Sequence, residues 1–474
     1  MDKLKGGKPN NQPQQPSPTD FDRFVPWACA QLSVEAAVSV VRTVQSQYVS
    51  AVINKTKSKA KVSKAAPPEP VSPESISIAS VSSIAPAGLV FIQNLRGNDP
   101  TIIIQAIYDV YLHLVHLKFL KNKPIPRQVL QIIGFVIPYH KHLSSITINS
   151  GLDHRGLYEI SSFLPLSRIT EICLDNTFLP EANYHILLGD NNVKCLSLSK
   201  CKINDAVVKT IASQLAYPQP SSKMLSILNL ATNRITDLGA TYLADALRSN
   251  RRLSYLNLAD NMITDKGAIS ILNTLLEFPI IDAEIFGRNE RLMTYLKEKN
   301  RLIEKTFKNL NAMENDKKMR PKKTVKPSLK KSKILDNSVD AKSIVYMEIL
   351  LKERAVIMAE GILGPFDDPF STDNTEIRNN ILYCCGNYAL CYLNLAYNDI
   401  TYISVRKLCE VLLAQKIISR QSKGLINVII EGNYLPNDCE ELQQINDLIE
   451  SGLESSRNLS DSKKKTPSIR SSRY

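Results

Sequence analysis

Residues 225–240 read LSILNLATNRITDLGA, and residues 253–268 read LSYLNLADNMITDKGA. At an offset of 28 residues, Leu, Leu, Leu, Asn and Ile recur at the same five positions, and D-x-G-A follows in both copies. The spacing predicts a short strand and then a helix, neither of which can bury its apolar side alone. We therefore predict an α/β fold in which such units stack around one shared core.

The same unit recurs on both sides of this stretch. It begins, in weaker or complete form, at Leu143, Ile169, Val193, Leu390 and Leu425. Thr177 and Cys201 stand where the complete copies have Asn. A side chain at this position hydrogen-bonds the backbone where the strand turns away. We therefore interpret Cys201 as a structural residue.

Composition and pattern divide the rest of the chain. Residues 1–20 and 55–83 are too polar or too rich in Pro and Lys to fold alone, and apolar spacing indicates a helix over about 103–120. Lys317–Lys333 holds nine basic residues and no acidic one. The predicted order is a mostly disordered arm over 1–83 with a helical segment near 21–52, a helical cap over 84–142, about five repeats over 143–283, charged helices and a basic linker over 284–388, about two repeats and a C-terminal cap over 389–450, and a disordered tail over 451–474.

Two questions about the assembly stay open at this point. The repeats before and after the insertion either form one arc or form two. The net charge of +13 indicates an acidic partner, such as nucleic acid, a membrane surface or the acidic surface of tubulin, or else it only reflects basic tails.

The chain contains nine cysteines, an odd number, and begins with a polar stretch rather than an apolar leader. This indicates a reducing, cytoplasmic compartment. No stretch approaches the roughly 18 apolar residues that a membrane span needs.

Motifs for catalysis or metal binding are not found in the sequence. There is no phosphate-binding glycine loop and no G-x-S-x-G turn. His113 and His116 have helical i, i+3 spacing but no companion ligands, and no His follows the cluster of Cys384, Cys385 and Cys391. We predict no catalytic residue, no metal and no cofactor.

The geometry of the strands indicates a protein-binding surface instead. Because side chains alternate along a strand, Leu228 and Leu230 enter the core, and Ile227 and Asn229 face the other side. Stacking aligns their equivalents in two columns on the concave sheet face. The predicted protein-binding residues are Cys195, Ser197, Ile227, Asn229, Tyr255, Asn257, Tyr392, Asn394, Asn427 and Ile429. The alternative is that they are merely tolerated at solvent-facing strand positions.

Over residues 143–275 and 388–450 the chain resembles the ribonuclease-inhibitor-like class of leucine-rich repeats. This resemblance implies a horseshoe solenoid with a curved parallel sheet and outer helices. The wider layout is similar to the family of leucine-rich repeat-containing protein seventy-one, on the stretches SLSKCKIND, LNLATNRITDLGA, LNLADNMITDKGA and LCYLNLAYNDIT. That family is associated with the axoneme of ciliated cells and has no known enzymatic activity.

Three functions remain in competition. The first, which the resemblance favours, is a non-enzymatic interaction scaffold in the cytoplasm, at the axoneme of the cilium or flagellum, with axonemal or cytoskeletal protein partners. The second is a regulator of a small GTPase or of another enzyme, acting through the same repeat surface. The third is a basic nucleic-acid-binding protein.

Overall fold

The computed structural model describes residues 15–44, 101–120, 124–319, 337–417, 424–436 and 439–463. The predicted linker over 55–83 lies outside these ranges, as does most of the basic stretch Lys317–Lys333. The described residues form two compact units. The first runs up to Leu272 and resumes at Tyr388, and the second comprises Asn273–Asn387.

Strands and short or long helices alternate through the described residues. The strands are β1 (Ala37–Val44), β2 (Thr101–Tyr108), β3 (Leu114–Leu120), β4 (Ser145–Ile148), β5 (Glu171–Cys173), β6 (Cys195–Ser197), β7 (Ile227–Asn229), β8 (Tyr255–Asn257), β9 (Phe278–Pro279), β10 (Thr375–Arg378), β11 (Ile381–Cys384), β12 (Tyr392–Asn394) and β13 (Asn427–Ile429). The helices are α1 (Phe21–Gln31), α2 (Arg127–Val136), α3 (His154–Phe163), α4 (Asp205–Leu215), α5 (Ser221–Met224), α6 (Asp237–Leu247), α7 (Asp265–Asn273), α8 (Asp282–Met319), α9 (Asn337–Leu363), α10 (Tyr402–Ile417) and α11 (Glu440–Lys463).

The first unit contains one ten-stranded sheet, in the order β1-β2-β3-β4-β5-β6-β7-β8-β12-β13. Its neighbouring strands are parallel, except that β2 and β3 are antiparallel. Strand β8 pairs directly with β12, and Leu256 lies beside Leu393. The repeats before and after the insertion therefore continue a single sheet, which decides between one arc and two.

The core of the sheet consists of the predicted leucine positions. The central residues of β7, β8 and β12 (Leu228, Leu256 and Leu393) are fully buried, and the helices that follow the strands pack against one another, α4 on α6 and α10 on α11. Truncating one such leucine to alanine costs about 2–5 kcal/mol, because the transfer free energy is lost and a cavity remains.

An asparagine ties each complete repeat to the one before it. The Nδ2 group of Asn398 donates at 3.0–3.1 Å to three backbone oxygens, and its Oδ1 accepts from the Ile263 amide at 3.1 Å. The three oxygens belong to Leu258, Leu395 and Ala396. Asn233 and Asn261 make equivalent bonds. Because Leu258 and Ile263 precede the insertion, Asn398 bonds the two blocks of repeats together.

Thr177 and Cys201 occupy the asparagine position of the weaker repeats. The Thr177 hydroxyl donates to the backbone oxygen of Ile148 at 3.0 Å, and the Cys201 thiol donates to that of Leu174 at 3.2 Å. Burial raises the pKa of the Cys201 thiol to about 11. The structural interpretation of Cys201 is therefore confirmed.

The D-x-G-A segment makes a second link between repeats. The Asp237 carboxylate accepts from the Thr264 amide at 2.8 Å, the Thr264 hydroxyl at 2.7 Å and the Gly267 amide at 3.0 Å. A Cβ added to Gly267 would lie 2.6 Å from Asp237 Oδ1. Glycine is thus required here because the carboxylate of the preceding repeat sits against its backbone.

This carboxylate link also crosses the insertion. Asp265 accepts from the Thr401 amide at 3.0 Å and the Thr401 hydroxyl at 2.5 Å, and also from the amide and hydroxyl of Ser404, which stands in the glycine position. Burial alone would raise the pKa of Asp265, but the hydrogen bonds from Ser404 and Thr401 outweigh it and lower the pKa.

The N-terminal part of the sheet departs from the predicted helices. The helical cap over 84–142 is wrong where β2 and β3 lie, and the helical segment near 21–52 ends at Gln31 and is followed by β1. Alternate residues Ile102, Ile104 and Ala106 are buried, as in a strand. Strand β1 is rich in β-branched residues, which favour strands. Within the predicted cap, Arg127–Val136 is helical, as α2.

The C-terminal region also differs from the expected tail. Residues 451–463 of the predicted disordered tail belong to α11. This segment carries few apolar residues, so sequence composition favoured a tail. Residues 464–474 lie outside the described ranges.

The second unit contains a helix pair and a small sheet. Helices α8 and α9 pack together, and Lys299 Nζ lies 2.8 Å from a Glu360 carboxylate oxygen. Arg291 Nε lies 2.6 Å from the fully buried carboxylate of Asp368. Strands β10, β11 and β9 form an antiparallel sheet over a core of Phe278, Ile280, Phe370 and Cys384.

Candidate functional site

The ten predicted binding residues come together in the structure. Each pair flanks the central residue of one strand, and the register of β6, β7, β8, β12 and β13 aligns them side by side. One column consists of Cys195, Ile227, Tyr255, Tyr392 and Asn427, and the other of Ser197, Asn229, Asn257, Asn394 and Ile429. We call this surface the two-column face.

Two tyrosines from opposite sides of the insertion form the centre of one column. The rings of Tyr255 and Tyr392 are stacked with centroids 4.1 Å apart and planes inclined by 4°. Burial and a hydrogen bond with Tyr392 raise the pKa of the Tyr255 hydroxyl to about 12. The pair is a large, preordered aromatic surface, and the raised pKa keeps the Tyr255 hydroxyl neutral at physiological pH.

The asparagines of the other column have a structural role that the sequence prediction did not include. The Oδ1 atoms of Asn229, Asn257 and Asn394 accept from the backbone amide two residues later, at 3.1, 3.0 and 2.9 Å. These bonds fix the turn that ends each strand. The Asn229 Nδ2 also donates to the Ser197 hydroxyl at 2.9 Å. Only part of the hydrogen-bonding capacity of this column is therefore available to a ligand.

All ten residues of the two-column face are uncharged, although charged residues make up 22% of the chain. Neutral residues also flank the central strands: Ser226, Ser254 and Cys391 on one side, and Ala231, Ala259 and Ala396 on the other. Such a face offers aromatic contact and amide hydrogen bonds, and it lacks the cations that hold phosphates.

A family model described as Leucine Rich repeat matches residues 221–244 and 249–272. The chain contains leucine-rich repeats. Strands β7 and β8, with Ile227, Asn229, Tyr255 and Asn257, lie within the two matched stretches. No curated protein matches the chain.

The alignment of side chains continues beyond the strands from which the sequence predicted binding residues. The register continues through β5 and β4 to β3, so that His116, Ser145 and Glu171 prolong one column and Lys118, Thr147 and Cys173 prolong the other. The assignment of 103–120 to a helix excluded His116 and Lys118, whereas the residues of β4 and β5 belong to the first two of the weaker repeats, from which the sequence predicted no face residue. The alternation in Leu117-Lys118-Phe119 is the signal that could have placed His116 and Lys118. Charged residues in this part, together with the Asp175 carboxylate that accepts from the Ser197 hydroxyl of β6 at 2.6 Å, limit the neutral surface to β7 and the strands after it.

Thiols and imidazoles near the leucine-rich repeats make other contacts. His113 Nδ1 lies 3.1 Å from an Asp109 oxygen, and His116 Nε2 lies 2.9 Å from the Thr147 hydroxyl. All nine cysteines are described, and none forms a disulfide. Within the described residues, no group of three or more His, Cys, Asp or Glu has a geometry that could hold a metal ion. The helices in these ranges include none that is long and apolar enough to span a membrane.

Proposed function

We propose that this protein is a non-enzymatic scaffold that binds another protein through the two-column face. The observation that carries the proposal is the neutral surface with the stacked pair Tyr255 and Tyr392 at its centre. Leucine-rich repeats generally mediate protein–protein interaction, and Tyr is enriched among the residues that contribute most to binding. The insertion leaves this surface whole because β8 and β12 are direct neighbours.

The chemistry of the face defines the kind of partner surface that fits it. Stacked rings lose little conformational freedom on binding, so their apolar contact is converted into affinity at low entropic cost. The side-chain amides of Asn257 and Asn394 offer directional hydrogen bonds at the edge of the contact. The complementary surface on the partner is therefore apolar and polar, with few charges.

The finer part of the proposal concerns shape and place. We propose a horseshoe solenoid with the two-column face on its concave side, in the cytoplasm, at the axoneme of a cilium or flagellum. Support comes from the similarity of its sequence layout to an axonemal family. Contact with acidic tubulin surfaces would use the basic arms, which agrees with the net charge of +13 and with the neutrality of the sheet face.

Proximity labelling with the tagged full chain in ciliated cells tests this proposal. We expect label on axonemal proteins, and we expect Tyr255→Ala combined with Tyr392→Ala to remove a defined subset of them. The control is Tyr139→Ala combined with Tyr158→Ala, since both tyrosines are more than half exposed on helical segments away from the face. An unchanged set of labelled proteins, with circular dichroism showing that the variant is folded, would overturn the role of the face.

A further inference from the structure

A second candidate surface lies between helices α1 and α2. The two helices border a groove with a volume of about 370 Å³, which is within the range of about 300–1,000 Å³ typical of ligand pockets. Its lining comprises six apolar residues and three glutamines: Phe24, Trp27, Ala28, Leu32, Ile132 and Phe135, with Gln31, Gln128 and Gln131.

Aromatic rings form the wall of this groove. The ring of Phe24 stacks on that of Phe135 with centroids 6.2 Å apart, and Phe24 also contacts Trp27 at 5.7 Å. Leu32 and Phe135 nevertheless keep 62% and 58% of their surface exposed. The helices thus present apolar area around the groove that their own packing does not use.

The polar groups of the groove indicate which chemistry it would accept. Gln131 donates to Glu159 at 3.2 Å, but the side chains of Gln31 and Gln128 have no hydrogen-bond partner among the described residues. None of the nine lining residues is ionisable. A fatty acid or phosphorylated ligand would therefore find no countercharge in the lining. A primary amide both donates and accepts, which matches the backbone of an extended peptide, whereas a bound helix satisfies its own backbone.

We propose that this groove binds an extended, uncharged peptide segment of another protein, anchored by one or two large apolar side chains. Gln31 on α1 and Gln128 on α2 bond the peptide backbone from opposite walls. The site is separate from the two-column face, and nothing in the proposal depends on the function assigned to that face.

The fluorescence of Trp27 reports whether this groove is occupied, because Trp27 lines the groove and is the only tryptophan of the chain. A random-peptide phage library is selected on the full-length protein, and enriched sequences are synthesised with blocked ends. We expect uncharged peptides with large apolar anchors that shift the emission of Trp27. Phe135→Ser should weaken their binding by at least about tenfold, while Tyr158→Ser, which changes an equally exposed aromatic outside the groove, should not. Combining Gln31→Ala with Gln128→Ala should weaken binding as well.

Three results would overturn the proposal. The first is a selection in which no enriched peptide changes the Trp27 emission, and the second is a set of enriched peptides dominated by charge. The third concerns the uninterrupted apolar run Leu89–Ile92 of this same chain. If changing that run to serine shifts the Trp27 emission without any peptide, the occupant is the chain itself. Peptide binding that persists in the variant with Tyr255→Ala and Tyr392→Ala separates this test from that of the two-column face.

Discussion

The replacement Asn398→Ala probes the bonds that join the two blocks of repeats. Asn398 is 5% exposed, and its side chain makes four hydrogen bonds, two of them to residues before the insertion. Alanine makes none of these bonds and leaves buried backbone groups without partners. At about 1 kcal/mol for each bond, the free energy of unfolding should fall by about 3–5 kcal/mol.

The assay is urea unfolding of the full chain, followed by far-UV circular dichroism, together with hydrogen exchange of the segments 253–263 and 390–400. Both segments should lose protection, since the lost bonds belong to both. Asn398→Thr should cost less than alanine because Thr177 retains one equivalent bond in its own repeat. A free energy of unfolding within about 0.5 kcal/mol of the wild type, or lost protection in 390–400 alone, would refute the reasoning.

Three further predictions concern the Asp237 and Asp265 links between repeats and the two-column face. Gly267→Ala should destabilise the fold by about 1–3 kcal/mol, because the added Cβ would lie 2.6 Å from Asp237 Oδ1. Gly361→Ala should instead stabilise helix α9 by about 0.5–1 kcal/mol, because no atom lies within 4 Å of the added Cβ. The melting temperatures of the two variants test both expectations. The lowered pKa of Asp265 adds stability that is complete above the ordinary carboxyl pKa of 3.8 and is lost as the pH falls through the lowered value. Unfolding of Asp265→Asn should therefore depend less on pH in that acid window, and an unchanged pH dependence would contradict the assignment. Capture of a partner by the two-column face should change little between about 0.1 M and 1 M salt, and a steep loss would indicate charge pairing.

The repeats could be predicted because the residues that determine the structure of each repeat lie close together in the sequence. The strand and its buried side chains are indicated by Leu225, Leu228 and Leu230, and the turn by Asn233. The same pattern is therefore recognisable in the repeats after the insertion. The same alternation predicted which side chains would form the two-column face. Asn229, Asn257 and Asn394 each accept a hydrogen bond from the second backbone amide after them, and such Asx turns are local features that the residue type favours.

The remaining features depend on contacts that are distant in sequence. Helical spacing and an apolar strand both fit the residues Ile103, Ile107, Val110 and Leu114. Residues 101–108 form a strand because they pair with β1, in which Ala37 lies beside Thr101. In the same way, Asn398 bonds to Leu258 across 140 residues. No local pattern specifies such pairings, so neither the pairing of the N-terminal strands nor the continuity across the insertion could be read from the sequence.

The central claim is that the stacked tyrosines of the two-column face bind a protein partner. Its most direct test is the dissociation constant of one captured partner for the wild type, Tyr255→Ala, Tyr392→Ala and the double variant. Because the rings stack at 4.1 Å, each single change should weaken binding by about tenfold or more, and the double variant should lose less than the sum of the two free energies. Dissociation constants that stay equal to that of the wild type in all three folded variants would contradict the claim.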